Sequence, residues 1–506
     1  MSLRPCLAAA VLLGTASAAI AETPEGAAAR LDAFLDRFDG IDPGYAVVVV
    51  TADEILLDRA DGVRQLSTGA PMTSATPIYV ASQTKAYMGL VAAWLDENGI
   101  VALDSTIADH WPDIEFPDGI DPADWTLRHL ITHQVPIEVG HITFLEAYAL
   151  RIEPQDYPAM IARHGTAREP GYDYDNLGYN IYAAIVETAT GRTWQDWLDQ
   201  VIFEPLGMEA SSARTSDFAL DTLSWNHVWG GEDAGWTELR PKTDGMMQSA
   251  GGLVVSPEDM AAWLQLQLRG EGPAGSGITA SMIETAHTSF ADTHMEDGRN
   301  PIELPCSGYS LGWNICDYNG HTLYFHGGGY VGTRTMMAFS PDLGVGIAAF
   351  SNTDNMTGWL TSRTAMMYFQ YLTEDETADR MADLRVDIYP DRVERLLQAR
   401  NQRIDGVRAE PQWAGWDWRP DASELAAYAG RYANGDGYTT IDIALRDGVL
   451  HGALGDFHTR LEPATPDLFG AHSFPMTPPD PWQFERDEAG VITALLVDGE
   501  RLVRTD

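Results

Sequence analysis

Residues 79–94 read Tyr79-Val80-Ala81-Ser82-Gln83-Thr84-Lys85-Ala86-Tyr87-Met88-Gly89-Leu90-Val91-Ala92-Ala93-Trp94. The apolar spacing from Tyr87 through Leu95 predicts a helix, closed at Asn98-Gly99. Residues three apart on a helix share a face, so Ser82 in the first turn points the same way as Lys85. The Ser82 N–H then stands at a helix N-terminus, where it can hold a developing oxyanion. Taken alone the pattern is short, and a Ser at a helix start is also an ordinary cap. Its meaning depends on what else the chain supplies.

Composition supplies the first support. Of 32 basic residues only two are lysines, Lys85 and Lys242. Arginine stays protonated wherever it is placed, whereas a buried lysine can lose its proton. A chain that uses Arg almost everywhere else gains at Lys85 a group able to accept the proton of a serine hydroxyl.

Two further segments carry matching chemistry. After the turn at Glu169-Pro170-Gly171, Tyr174-Asp175-Asn176 precedes a helical apolar run to Val186. A phenol beside a cationic lysine ionises more easily, so Tyr174 can share proton transfer with Lys85, and the Asn176 amide can bind a substrate carbonyl and the lysine together. Later, Leu323-Tyr324-Phe325-His326-Gly327-Gly328-Gly329-Tyr330 reads as a strand entering a glycine run, followed by a hairpin through Pro341 to Gly344. Consecutive glycines let another backbone approach closely, and the Gly329 N–H is a candidate second oxyanion donor.

The ordered set Ser82-x-x-Lys85, Tyr174-x-Asn176, His326-x-Gly328 resembles the serine hydrolases of the class C β-lactamase, D-aminopeptidase and esterase superfamily, whose third motif is often H-x-G instead of K-T-G. Residues 126–133, 203–208, 250–253 and 309–313 resemble segments of that family in the same order, over roughly residues 30 to 355. The resemblance implies a mixed α/β fold: an antiparallel sheet flanked by helices plus an all-helical lobe, with the site between them. The strand segments Tyr45 to Val50 and Thr333 to Asn352 fit one such sheet. It implies Ser82, Lys85 and Tyr174 as catalytic residues, and Asn176, His326, Gly328 and Gly329 as substrate-binding ones. No metal and no organic cofactor is required. The substrate it implies is a small molecule or short peptide, an amide or an ester, with β-lactamase or D-alanyl-D-alanine carboxypeptidase activity as the alternative. A non-catalytic periplasmic binding or scaffold protein of the same fold is a further reading, opposed by the intact motif set.

Departures from the family pattern shape these expectations. Gln134-Val135-Pro136 follows His133 where Thr-Ser-Gly is usual, and Asp175 replaces a small residue. Asp175 reads as a turn residue facing solvent, with a role toward a cationic amine as the alternative. His326 in place of Lys removes a permanent charge that would dock a β-lactam carboxylate, which disfavours antibiotic hydrolysis. Lys242-Thr243-Asp244-Gly245 reads as a loop near the site. His129 and His133 lack the Glu of a zinc-protease helix. Trp225, Trp229 and Trp236 either line a pocket or pack a loop.

The remaining chain bounds the setting. Met1 to Ala21 has one Arg, an apolar core and the small residues Ala19 and Ala21, the pattern of a signal peptide cleaved before Glu22, so a periplasmic or secreted protein is expected. Cys306 and Cys316 are the remaining thiols; they can pair there or stay free. A formal charge of −42 excludes nucleic-acid binding, and no apolar run is long enough for an integral membrane span. Oligomeric state is left open. Beyond residue 372 the chain becomes charged, with a helix expected around Asp391 to Asn401. Short alternating strands follow, joined at Asp447-Gly448 and Asp498-Gly499. Leu425 to Tyr432 resembles the start of the small lipocalin-like barrels appended to such hydrolases. The expected organisation is a signal peptide (1–21), a catalytic domain (22–372), a linker (373–420) and a small all-β barrel domain (421–506).

Overall fold

A computed structural model describes residues 21–38, 43–295, 300–354, 358–374, 376–435 and 437–506. All but the last residue of the expected signal peptide lies outside them. The chain opens with helix α1 (Pro24–Leu35), capped by the Thr23 side chain and by Pro24 at the first helical position. Strands β1 (Gly44–Thr51), β2 (Ile55–Gln65) and β3 (Ala70–Pro71) follow. Helix α2 (Thr84–Glu97) comes next, then a helical lobe that includes α3 (Leu177–Thr190). Helix α4 (Pro257–Arg269) returns the chain to the sheet, which is completed by β4 (Ala291–Met295), β5 (Cys306–Tyr309), β6 (Asn314–Tyr318), β7 (His321–Tyr330), β8 (Thr333–Ser340) and β9 (Val345–Ser351).

Among the described residues the sheet has nine strands in the order β4-β5-β6-β7-β8-β9-β1-β2-β3, each pair antiparallel. The last strand pairs with the first, Tyr45 opposite Ser351 and Val49 opposite Ile347, as the two expected strand segments require. The run Tyr45 to Val50 is buried on both faces, because alternate side chains point into two cores. Tyr45, Val47 and Val49 pack with α1 and α5 (Gly358–Thr373); Ala46, Val48 and Val50 pack with α2 and α4. Cys306 and Cys316 form a disulfide that ties β5 to β6, the arrangement their spacing left undecided.

Helix α6 (Glu376–Arg408) runs through Pro390, so the helix expected at Asp391 to Asn401 is the far part of a longer one. Its first half is anchored by Ala378 and Ala382, buried in the same core as α1 and α5. The C-terminal strands β10 (Gly430–Ala433), β11 (Thr440–Arg446), β12 (Val449–Leu454), β13 (Phe457–Thr465), β14 (Leu468–His472), β15 (Asp480–Arg486), β16 (Ile492–Val497) and β17 (Glu500–Arg504) form a closed barrel. Asp447-Gly448 and Asp498-Gly499 take positive φ at both positions, the tight hairpin turns that Asp-Gly favours. The barrel packs on the helical lobe: Phe457 meets Phe144 at 5.4 Å, Phe474 meets Tyr148 at 4.9 Å, and the Asp456 N–H donates to the Ala149 carbonyl at 2.7 Å.

Because the disulfide closes a short loop, the double variant Cys306→Ser/Cys316→Ser is expected to lose about 2–3 kcal/mol of stability. Chemical denaturation measures it, and midpoints equal to those of the parent would contradict the expectation.

Candidate active site

Ser82 lies on a 3-10 turn, Ala81–Gln83, that runs directly into α2. Ala81 has φ +48°, a strained conformation for a residue with a side chain, and its place immediately before Ser82 puts the strain at the site itself. The turn is pinned from the sheet side. The Thr335 hydroxyl donates to the Val80 carbonyl at 3.2 Å, and β7 passes so close that a Cβ on Gly328 would sit 2.0 Å from the same oxygen. Gly328 is therefore the residue that lets the strand bearing Gly329 lie against the segment bearing Ser82.

Helix α2 is buried over most of its length, and Lys85 in its first turn has no exposed surface. Its ammonium donates to Asn176 Oδ1 at 2.7 Å and to the Ala250 carbonyl at 2.8 Å, and lies 3.4 Å from Ser82 Oγ. Among the described residues no carboxylate forms an ion pair with it. Burial drives its pKa down to about 7, and the charge of nearby Asp175 only partly offsets this. With the Asn176 oxygen on Lys85, the amide NH2 of the same residue is left for another acceptor.

Tyr174 is 43% exposed and lines the cleft, yet it stands deep enough that surrounding protein raises its pKa well above that of a free phenol; a hydrogen bond with Ser82 acts in the opposite sense. The phenol therefore stays protonated at neutral pH, which corrects the expectation that the neighbouring lysine eases its ionisation: burial outweighs that effect. Lys85 Nζ lies 4.8 Å from the centre of the Tyr174 ring. His326 is buried, with Nδ1 2.7 Å from the Gly327 carbonyl and Nε2 3.4 Å from the Tyr309 hydroxyl. Burial and then the charge of Lys85 push its pKa to about 3, so it is a neutral imidazole that donates from Nδ1.

Thus Ser82, Lys85, Tyr174, Asn176, His326, Gly328 and Gly329 meet around one place, and all but Lys85 line a single cleft of about 1100 Å³. One part of its wall is apolar, made by Phe144, Tyr148, Tyr172, Met247, Tyr330 and Met336; Glu138, Asp175, Arg334 and Asp354 add charge. Arg334 is engaged by its own surroundings. It donates to the Tyr330 and Thr333 carbonyls at 2.7 Å each and lies 4.0 Å from Asp354.

The reading of Asp175 needs correction. Asp175 does not face solvent as a turn residue. It lines the cleft, accepts from the Gly178 N–H at 2.8 Å and pairs with Arg168 at 3.0 Å. Burial would raise its pKa, but His133, the Gly178 N–H and Arg168 together hold it below the ordinary carboxylate range. A carboxylate here has tertiary partners no local pattern announces. Of the two alternatives for the tryptophans, loop packing is the one found: Trp229 and Trp236 pack on each other at 5.0 Å across a small hairpin and Trp225 donates to the Leu220 carbonyl, and none of the three lines the cleft. Lys242 lies in irregular chain, as expected of a loop, with its side chain buried: it lies 5.9 Å from the Tyr79 ring and donates to the Thr243 carbonyl.

Two participants were not foreseen. The Ala250 carbonyl is the second strong acceptor for Lys85, and His133, buried with φ +60°, packs 4.6 Å from the Tyr174 ring and accepts from the Asp175 N–H. The Ala250-Gly251-Gly252 segment was the only signal for the first; for the second there was only its place in a family-like segment.

Comparison with known proteins bears on the family and the fold. The family model described as "Beta-lactamase" matches residues 31–365. The unguisins hydrolase ungD' of Aspergillus campestris is 25% identical over 373 residues, covering 69% of this chain and 63% of that relative's length. Penicillin-binding protein 4 of Amycolatopsis lactamdurans is 25% identical over 347 residues, covering 64% of this chain and 86% of that protein. Among solved structures, the octameric penicillin-binding protein homologue from Pyrococcus abyssi superimposes with a TM-score of 0.58 at 19% identity, covering 94% of this chain and 99% of that one. The D-amino acid amidase from Ochrobactrum anthropi gives 0.53 at 20% identity over 74% of this chain and 97% of its own. These two likenesses concern the fold.

Gly328→Ala tests the approach of β7 to the Ser82 turn. Because the methyl would meet backbone, the two segments must separate, and acylation of Ser82 is expected to fall by about 100-fold or more with far-UV circular dichroism retained. Unchanged acylation would contradict the close approach.

Proposed function

Because the chain belongs to the beta-lactamase family, we propose that this serine hydrolase cleaves a small amide or ester of an apolar acyl group through an acyl-enzyme on Ser82. The observation that carries the reading is Lys85: fully buried, without a carboxylate ion pair among the described residues, and 3.4 Å from Ser82 Oγ. With a pKa near 7 it is substantially neutral at physiological pH, and a neutral amine at that distance is a base for the serine hydroxyl. Tyr174, held protonated, serves as the acid.

In acylation the Ser82 proton passes to Lys85 as Oγ bonds the substrate carbonyl carbon. The oxyanion is held by the Ser82 and Gly329 N–H groups. On collapse the bond to the leaving nitrogen or oxygen breaks and that atom takes the Tyr174 proton; the Lys85 ammonium restores it. Water then attacks the acyl-enzyme by the same route in reverse, and the acid product leaves with Ser82 regenerated. Asn176 offers its NH2 to the substrate carbonyl while its oxygen holds Lys85.

The apolar wall of Phe144, Tyr148, Tyr172 and Tyr330 supports an aromatic or aliphatic acyl side chain. The third motif argues against efficient β-lactam hydrolysis. His326 is a neutral imidazole where a lysine would present a permanent charge to a lactam carboxylate, and Arg334 Nη1 is already engaged by two backbone carbonyls.

Labelling with a fluorophosphonate followed by peptide mass spectrometry is expected to place the adduct on Ser82, to vanish in Ser82→Ala, and to rise with pH through about 7 as Lys85 loses its proton. Undiminished labelling in Ser82→Ala sinks the nucleophile. Lys85→Arg with wild-type rates sinks the base. For substrate class, the purified enzyme is expected to turn over p-nitrophenyl esters or D-alanyl anilides about 100-fold faster, in kcat/KM, than a chromogenic cephalosporin. The reverse order would reject the amide or ester reading.

A further inference from the structure

Lys85 is held by two acceptors besides Ser82, and one of them, the Ala250 carbonyl, belongs to a peptide that is itself held from behind. The Ala250 N–H donates to Asn180 Oδ1 at 3.0 Å, and the Ser249 hydroxyl lies between that oxygen, at 3.1 Å, and the Tyr179 carbonyl, at 2.9 Å. Asn180 on α3 stands four residues after Asn176, the residue that caps the helix, so the two amides lie on the same side of it. The nearer holds Lys85 directly; the farther holds the peptide that holds Lys85.

An amide can turn either way, and something must decide which end faces Ala250. Asn180 Nδ2 donates to Glu146 Oε2 at 2.8 Å, while the Tyr157 hydroxyl donates to Glu146 Oε1. Glu146 Oε2 is an acceptor both in the carboxylate and in the acid protonated on Oε1, so it takes the NH2 of Asn180 and leaves the amide oxygen for Ala250. Glu146 is 1% exposed, and burial raises its pKa to about 7 against the pull of Tyr157 and Asn180. A buried carboxylate is costly, and a well-packed apolar residue would serve stability at least as well. The Glu146 carbonyl also accepts from the Met247 N–H at 2.6 Å, at the start of the strained turn, Met247 φ +63° and Gln248 φ +41°, that leads into Ala250. Side chain and backbone of one residue therefore grip the segment that carries the lysine acceptor.

We propose that Glu146 is a positioning residue of the acyl-transfer site, acting through Asn180 to set the Ala250 carbonyl on Lys85. It is absent from the cleft lining, so it acts without touching substrate. The proposal rests on Lys85 as the base.

A donor–acceptor exchange tests it with side chains of nearly unchanged size. Asn180→Asp sets a second carboxylate against Glu146, whereas Glu146→Gln/Asn180→Asp restores one donor and keeps an acceptor for the Ala250 N–H. Pre-steady-state release of p-nitrophenol from p-nitrophenyl acetate gives the acylation rate constant and the substrate dissociation constant separately. Asn180→Asp is expected to lose about 30-fold or more in acylation with the dissociation constant unchanged, and the double variant to recover most of it. A folded double variant as slow as the single, or a change confined to the dissociation constant, overturns the proposal. Should Asn180→Asp alone fail to fold, the folded double variant still decides, wild-type-like acylation supporting the proposal and slow acylation overturning it. Wild-type enzyme that carries no fluorophosphonate on Ser82 would instead reject the underlying acyl-enzyme reading.

Discussion

The site depends on the Lys85 amine, buried away from water and, among the described residues, without a carboxylate paired to it. Burying a charge in this way is expensive, and the structure meets the cost with neutral acceptors: the Asn176 amide oxygen and the Ala250 carbonyl. Neutral acceptors orient the amine without locking it into its charged form. An aspartate in their place would hold Lys85 protonated and useless as a base. Nearby Asp175 is instead committed to Arg168 and the Gly178 N–H, which limits its pull on the lysine.

Much of the fold serves that arrangement. The strand run Tyr45 to Val50, buried on both faces, joins β1 to β9 and makes β9 an interior strand, next to β7 and β8, which are themselves paired on both edges. On this platform β7 lies against the Val80 carbonyl with only glycine between. Helix α2, wedged between sheet and helical lobe, brings Lys85 to that contact, and α3 answers from the lobe with Asn176 and Asn180 on one side. The barrel reaches the same lobe at Phe144 and Tyr148, two residues of the apolar cleft wall.

What the sequence disclosed follows contiguity. Ser82-x-x-Lys85, Tyr174-x-Asn176 and His326-x-Gly328 are local patterns, and all come together. The Asp-Gly turns were equally readable, since a two-residue hairpin is specified by the residues in it. The Ala250 carbonyl, 165 residues from Lys85, was not, because every residue has a carbonyl and only tertiary structure selects one. Asp175 was misread for the same reason: its turn is local, but Arg168 and His133 give its carboxylate a second environment. The scarcity of lysine carried a true signal with a broader meaning than catalysis. Both lysines are buried and both have depressed pKa values, about 7 and about 8, so rarity marks placement in the interior. What separates them is contact, since Lys85 reaches Ser82 while Lys242 reaches the Thr243 carbonyl.

That scarcity also makes the central claim directly measurable. Protein labelled with 13C at the lysine ε-carbon gives two side-chain signals, assignable with Lys242→Arg, whose shifts can be followed against pH. The Lys85 signal is predicted to titrate near pH 7, with its inflection lost in Lys85→Arg. A Lys85 signal that holds its charged-form shift until about pH 10, the range of an ordinary lysine, would contradict the account.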